Sequence, residues 1–131
     1  MTVSLDTNVI VRLFVNEDAA QSAAARDCLE RYSVIRLGNV ALLESIYILA
    51  ERYRLGRKAT VKYMQQLFQH PKISYDQALF DPALRHYLAH PKLSIEDCCA
   101  AVQATLDGAV PLLTFDQKLA NQLQHSELLK V

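Results

Sequence analysis

The chain has 131 residues, 51% of them hydrophobic, and its 14 Lys and Arg balance 14 Asp and Glu to a formal net charge of zero. This length suits one domain, residues 1–131, burying roughly two-thirds of its unfolded surface, and the apolar content argues against disorder. The balanced charge excludes a uniformly basic nucleic-acid binder, so any basic surface must be local.

The N-terminal MTVSLDTN lacks the basic and apolar regions of a signal peptide. Val3–Leu5 is a short β-type run that ends at Asp6. Helical spacing follows, with Val9, Leu13 and Phe14 on one side. A second helix is predicted over Ala19–Tyr32, and the β-branched Val34–Leu37 reads as a strand. Gly38-Asn39 breaks it, and Asn39 is a good N-cap for a long helix to about Tyr53, with Leu42, Ile46, Leu49 and Tyr53 on one face. The run Val40–Ala50 carries Glu44 and is too short to span a bilayer. A soluble cytoplasmic protein is expected.

Another helix is predicted from Arg57 to about Gln69, stopped by Pro71, then a short strand at Ile73–Tyr75 and a helix over Gln77–Ala89, stopped by Pro91. HPKIS at 70–74 and HPKLS at 90–94 repeat a helix-end pattern with a proline stop, and two copies make no array. Ser94 caps a helix to Asp107. Val110–Leu113 is a strand leading to Asp116, where a last helix starts, and Leu128–Val131 is a final strand. The alternation predicts an α/β fold, a parallel sheet with helices on both faces. Cys28, Cys98 and Cys99, odd in number and without zinc-site spacing, read as small apolar residues.

Ligands of such sheets bind beyond the carboxyl ends of the strands. Asp6, Glu44, Asp97 and Asp116 all fall where strands end or helices begin. Each has an ordinary explanation: Asp6 and Asp116 are possible N-caps, and Ser94-Ile95-Glu96-Asp97 resembles a capping box. Glu44 is flanked at helical spacing by Val40, Ala41, Tyr47 and Ile48, all compatible with a core, and Asp97 by Leu93, Ser94, Ala100 and Ala101. Neither acid has a local counter-charge. Two like charges about 4 Å apart repel by roughly 4 kcal/mol at an effective dielectric near 20, while a helix N-terminus returns about 0.3–1 kcal/mol per acid. If the acids converge, a cation joins them or some protonate. Oxygen-only ligands favour Mg²⁺ or Mn²⁺, which suits hydrolysis of a phosphodiester.

Asn8 and Thr114 sit beside Asp6 and Asp116 and are candidates for orienting groups or phosphate contacts; as structural residues they are a helix cap and a turn residue. Arg52, Arg54, Arg57, Lys58 and Lys62 cluster around a helix junction, ordinarily a solvated face. Arg12, one helical turn beyond Asn8, is the better placed for a phosphate contact.

LDTNVIVRL at 5–13, VALLES at 40–45, SIEDCCAA at 94–101 and LLTFDQKLA at 112–120 resemble, in order and spacing, the motifs of a PIN domain of the VapC toxin type. The resemblance implies a three-layer α/β sandwich with a central, mostly parallel sheet. It also implies a Mg²⁺-dependent endoribonuclease that leaves a 5′-phosphate, a homodimer, and a VapB-like antitoxin that blocks the site. On this resemblance Asp6 and Asp97 are the first metal ligands, joined by Glu44 and Asp116. Some relatives carry a further Asp after the last acid; here Gln117, Lys118 and Leu119 follow, which favours one firmly held ion. A haloacid-dehalogenase-type phosphatase needs a second Asp at position 8, where Asn stands, and a receiver module needs an adjacent acidic pair that is absent. An inactive PIN-like binding module and a DNA substrate are the remaining alternatives.

Overall fold

The computed structural model describes residues 1–131 as a mixed α/β fold with parallel strands, in agreement with the alternation of elements. Its contacts gather into two compact units, Met1–Asp76 and Gln77–Val131. No helix is long and apolar enough to cross a membrane.

In the first unit, β1 (Thr2–Ser4), β2 (Val34–Arg36) and β3 (Ile73–Ser74) form a parallel sheet in the order β1-β2-β3. The register sets Val3 against Ile35 and Ile35 against Ile73. The central strand is therefore apolar where it is covered, and Ile35 and Leu37 are fully buried. Helix α1 (Thr7–Arg12) starts at Asp6, whose extended backbone and side chain cap it. Helix α2 (Ala19–Arg31) is capped by Asp18, whose carboxylate accepts from the Gln21 amide at 3.0 Å.

Helix α3 (Asn39–Tyr47) departs from expectation at both ends. Gly38, not Asn39, is the N-cap. Asn39 lies inside the helix, and its side-chain amide donates to Asp76 at 3.3 Å instead. At the other end the helix widens into a π-helical stretch, Ile48–Arg52, closed by the Tyr53 amide on the Ile48 carbonyl at 3.0 Å. The buried stripe Leu42, Ile46, Leu49 follows the expected phase. Helix α4 (Gly56–Phe68) packs Val61, Met64 and Leu67 inward.

In the second unit, α5 (Gln77–Ala89) and α6 (Ile95–Leu106) pack against each other. Strands β4 (Leu112–Thr114) and β5 (Ser126–Leu128) form a parallel pair flanking α7 (Gln117–Gln122). Strand β4 begins after Pro111, which has no N–H to give a ladder. Strand β5 starts two residues before the expected position, directly after His125 at φ 67. Cys98 and Cys99 are buried, and Cys28 is half-buried. Burial, then the neighbouring Cys98 and Glu96, pushes the Cys99 thiol up to about 12.

Truncating Ile35 to Ala should cost about 2–5 kcal/mol, read as a lowered midpoint in urea; a loss below about 1 kcal/mol would show that β2 is not central to the core. With a thiol reagent at neutral pH, the native chain should expose about one reactive cysteine, Cys28, because Cys98 and Cys99 are shielded. Rapid modification of all three before unfolding would contradict that placement.

Candidate active site

Asp6 follows β1 and precedes α1, so its carboxylate meets the amides at the start of the helix. Asp6 Oδ1 accepts from the Thr7 amide at 2.8 Å. The Thr7 side chain, itself buried, turns the other way and donates from Oγ1 to Glu44 Oε2 at 3.4 Å. Ser45 secures the same junction, its Oγ donating to the Ala41 carbonyl at 2.7 Å and to the Thr7 carbonyl at 3.4 Å. One residue thus binds both acids, Asp6 through its amide and Glu44 through its hydroxyl. Thr7 was not singled out by sequence; the signal for it is a hydroxyl residue directly after a strand-ending Asp.

Glu44 is exposed, which corrects the expectation that its neighbours place it against a core. Val40 is 80% exposed and Tyr47 43%. The reason is helical phase: with Leu42, Ile46 and Leu49 inward, position 44 lies roughly 200° around the helix from position 42 at 3.6 residues per turn.

Asp97 is half-buried in the first turn of α6. Its amide donates to Ser94 Oγ at 3.0 Å, and its Oδ2 accepts from the Ser94 amide at 3.1 Å, a reciprocal capping box. Asp116 caps α7, its Oδ1 accepting from the Lys118 amide at 2.9 Å. Thr114 Oγ1 accepts from the Asp116 amide at 3.0 Å, so Thr114 shapes the turn that presents Asp116.

Asn8 is exposed within α1, one residue past its start, and is not the helix cap. With Arg12, Gln21, Ala24 and Cys28 it lines a cavity of about 300 Å³. The Arg12 guanidinium is engaged by neighbours rather than presented free. Its Nε donates to Gln21 at 3.0 Å, and an Nη donates to the Tyr53 hydroxyl at 3.3 Å and faces Glu17 at 3.9 Å. The Tyr53 hydroxyl also donates to Glu17. This ties α1 to the end of the π-helical stretch and gives Arg12 a positioning part.

The structure therefore joins Asp6 with Glu44, and Thr114 with Asp116, and sets Asn8 beside Arg12. In neither unit do three His, Cys, Asp or Glu side chains gather as a metal set. The donor chemistry nonetheless fits a hard divalent cation. All four candidates are carboxylates, none forms an ion pair with Lys or Arg, and the three aspartates each use one oxygen in a cap and leave the other without a protein partner.

The PIN domain family model matches residues 3–122. Among solved structures, the Mycobacterium tuberculosis VapC20 toxin, described as cleaving the sarcin-ricin loop, is similar over 92% of this chain and 94% of that one, at 16% identity and a TM-score of 0.44. No curated protein matches.

The capping bonds give a direct expectation for Asp97. Asp97→Ala removes the acceptor for the Ser94 amide and should cost about 1–2 kcal/mol in metal-free urea unfolding. Asp97→Asn keeps an acceptor oxygen and loses only the charge at the helix head, about 0.3–1 kcal/mol. Equal losses in both variants would contradict the capping geometry.

Proposed function

The chain belongs to the PIN-domain family, and from that premise we propose that it is a divalent-metal-dependent endoribonuclease, the toxin of a VapBC-type pair. The observation that carries the reading is that the four motif acids, Asp6, Glu44, Asp97 and Asp116, all lack a cationic partner within the protein. Carboxylates kept unpaired along a chain with as many bases as acids are available to a ligand of opposite charge. The family match spans residues 3–122, which supports treating residues 1–131 as one PIN domain.

In this reading Asp6 and Asp97 are the principal ligands of Mg²⁺, with Mn²⁺ an effective substitute, and Glu44 and Asp116 complete the set. When bound, the ion supplies Lewis acidity at a phosphoryl oxygen and an activated water. The chain's own groups do the rest. Thr7 holds Asp6 and Glu44 in fixed relation, Thr114 fixes Asp116, and Asn8 contacts the phosphate. Glu44 or Asp116 accepts the proton that the attacking water loses. Water adds at phosphorus, the bond to the 3′ oxygen breaks, that oxygen takes a proton, and the downstream fragment keeps a 5′-phosphate. The motif resemblance supports a VapB-like antitoxin and a homodimeric state, and the proposed setting is cytoplasmic.

Metal binding is separable from choice of RNA. Mn²⁺ at about 100 times its dissociation constant should stabilise the wild type by roughly 2.7 kcal/mol, seen as a rise of several degrees in the melting temperature, and Asp97→Asn should lose most of that rise. Cleavage of total RNA should need the metal, yield 5′-phosphate ends and vanish in Asp6→Asn. A wild type whose melting ignores Mn²⁺, or cleavage that survives both EDTA and Asp6→Asn, would overturn the reading.

A further inference from the structure

With Arg12 engaged by Glu17, Gln21 and Tyr53, the remaining cations are unevenly placed. From Arg52 to Tyr75 the chain has no acidic residue, yet Arg52, Arg54, Arg57, Lys58, Lys62 and Lys72 all fall there. Lys72 serves the fold, its Nζ donating to the Leu29 carbonyl at 2.7 Å and the Glu30 carbonyl at 3.3 Å at the end of α2. Arg57 is half-buried. The other four, Arg52, Arg54, Lys58 and Lys62, are exposed, and their side chains enter no hydrogen bond or ion pair.

Local physics does not account for three of them, Arg54, Lys58 and Lys62. Helix α4 has Leu55 at its N-cap, no side-chain cap and no acid in its first turn. Lys58 stands in that turn, where a positive charge opposes the helix dipole. Helices α1, α2, α6 and α7 are by contrast capped by Asp or Ser side chains. Lys58 and Lys62 are four residues apart on one helix face, the spacing at which like charges destabilise a helix. Arg54 adopts φ 57 in the elbow before Gly56 at φ 79, a left-handed conformation that suits glycine and is unfavourable for a long side chain. The exposed face continues beyond Lys62 with the neutral donors Gln65, Gln66 and Gln69. Arg54, Lys58 and Lys62 each stand where local structure alone would favour another residue, and Arg52, exposed in the last turn of the π-helical stretch, adds to the same run of charge, which points to an external polyanion as the compensating charge.

We propose that the elbow and outer face of α4, through Arg52, Arg54, Lys58 and Lys62, form a docking surface for the phosphate backbone of RNA. The surface shares no residue with the acidic set and reads charge rather than sequence. This inference rests on the ribonuclease reading and adds to it where the substrate strand is held.

The test is fluorescence anisotropy with an end-labelled, single-stranded oligouridine, Ca²⁺ replacing Mg²⁺ so that the RNA stays uncut, over a series of KCl concentrations. The wild type is compared with the variant R52Q/R54Q/K58Q/K62Q. Each phosphate contact on a single strand contributes about −0.7 to the slope of log affinity against log salt. The variant should therefore bind with a slope shallower by roughly 2–3 and at least tenfold more weakly at low salt, while melting no lower than the wild type. A variant with wild-type slope and affinity overturns the docking surface and leaves the ribonuclease reading standing. A wild type that does not bind the RNA at low salt overturns both. Preferential retention of poly-glutamate over RNA, lost in the same variant, would assign the surface to an acidic polypeptide and also overturn the proposal.

Discussion

A carboxylate at the head of a helix has two oxygens, and the helix needs only one of them. Asp6, Asp97 and Asp116 each commit one oxygen to a backbone amide at the first turn of α1, α6 and α7. The second oxygen of each is left to other partners. Stability and candidate chemistry therefore depend on the same three carboxylates. The amides that hold each acid also fix its direction. Glu44 reaches the same arrangement by another route, through the Thr7 hydroxyl, because it lies within its helix rather than at the head. Without these caps the acids would be flexible surface side chains with no defined relation to the strand ends.

The cations are distributed in a complementary way. None of them neutralises the motif acids. Arg12, the basic residue nearest to Asn8 in the candidate set, is bound into the Glu17, Gln21 and Tyr53 network and braces α1 against the end of the π-helical stretch. Four exposed, unpaired cations, Arg52, Arg54, Lys58 and Lys62, fall within the acid-free segment that begins at Arg52. A chain of zero net charge can in this way keep acids for a metal and bases for a phosphate backbone without their cancelling each other locally. In the proposed reading, long-range attraction of RNA would arise from local positive charge rather than from overall charge.

The α/β class, most helix limits and the positions of the motif acids were legible because they rest on local signals: β-branched runs, Asp or Ser before apolar periodicity, and Gly or Pro stops. The capping box at Ser94 and Asp97 is one such local signal, and it formed. What was not legible depends on partners distant in sequence. Asn39 looked like a cap but found Asp76, leaving Gly38 at the cap position. The π-helical widening at Ile48–Arg52 leaves no mark in the apolar stripe, because Leu42, Ile46 and Leu49 keep their phase up to it. Glu44 was misjudged because its neighbours' polarity was read without that phase. The same stripe, applied to position 44, turns it outward. The start of strand β5 was hidden because Ser126 and Glu127 are polar and only pairing with β4 makes them a strand. The two HPK segments show the same limit: HPKIS leads into β3, while HPKLS leads into the Ser94 cap of α6.

The central claim is that Asp6, Glu44, Asp97 and Asp116 hold one divalent ion. Anomalous diffraction at the manganese edge from crystals grown with Mn²⁺ tests it most directly, since it locates the ion without requiring the right RNA. The account predicts one strong peak at about 2.0–2.3 Å from carboxylate oxygens of both Asp6 and Asp97, with Glu44 or Asp116 at coordination distance or linked through water. Manganese confined to other acids such as Glu17 or Asp27, with Asp6 and Asp97 still acting only as helix caps, would contradict it.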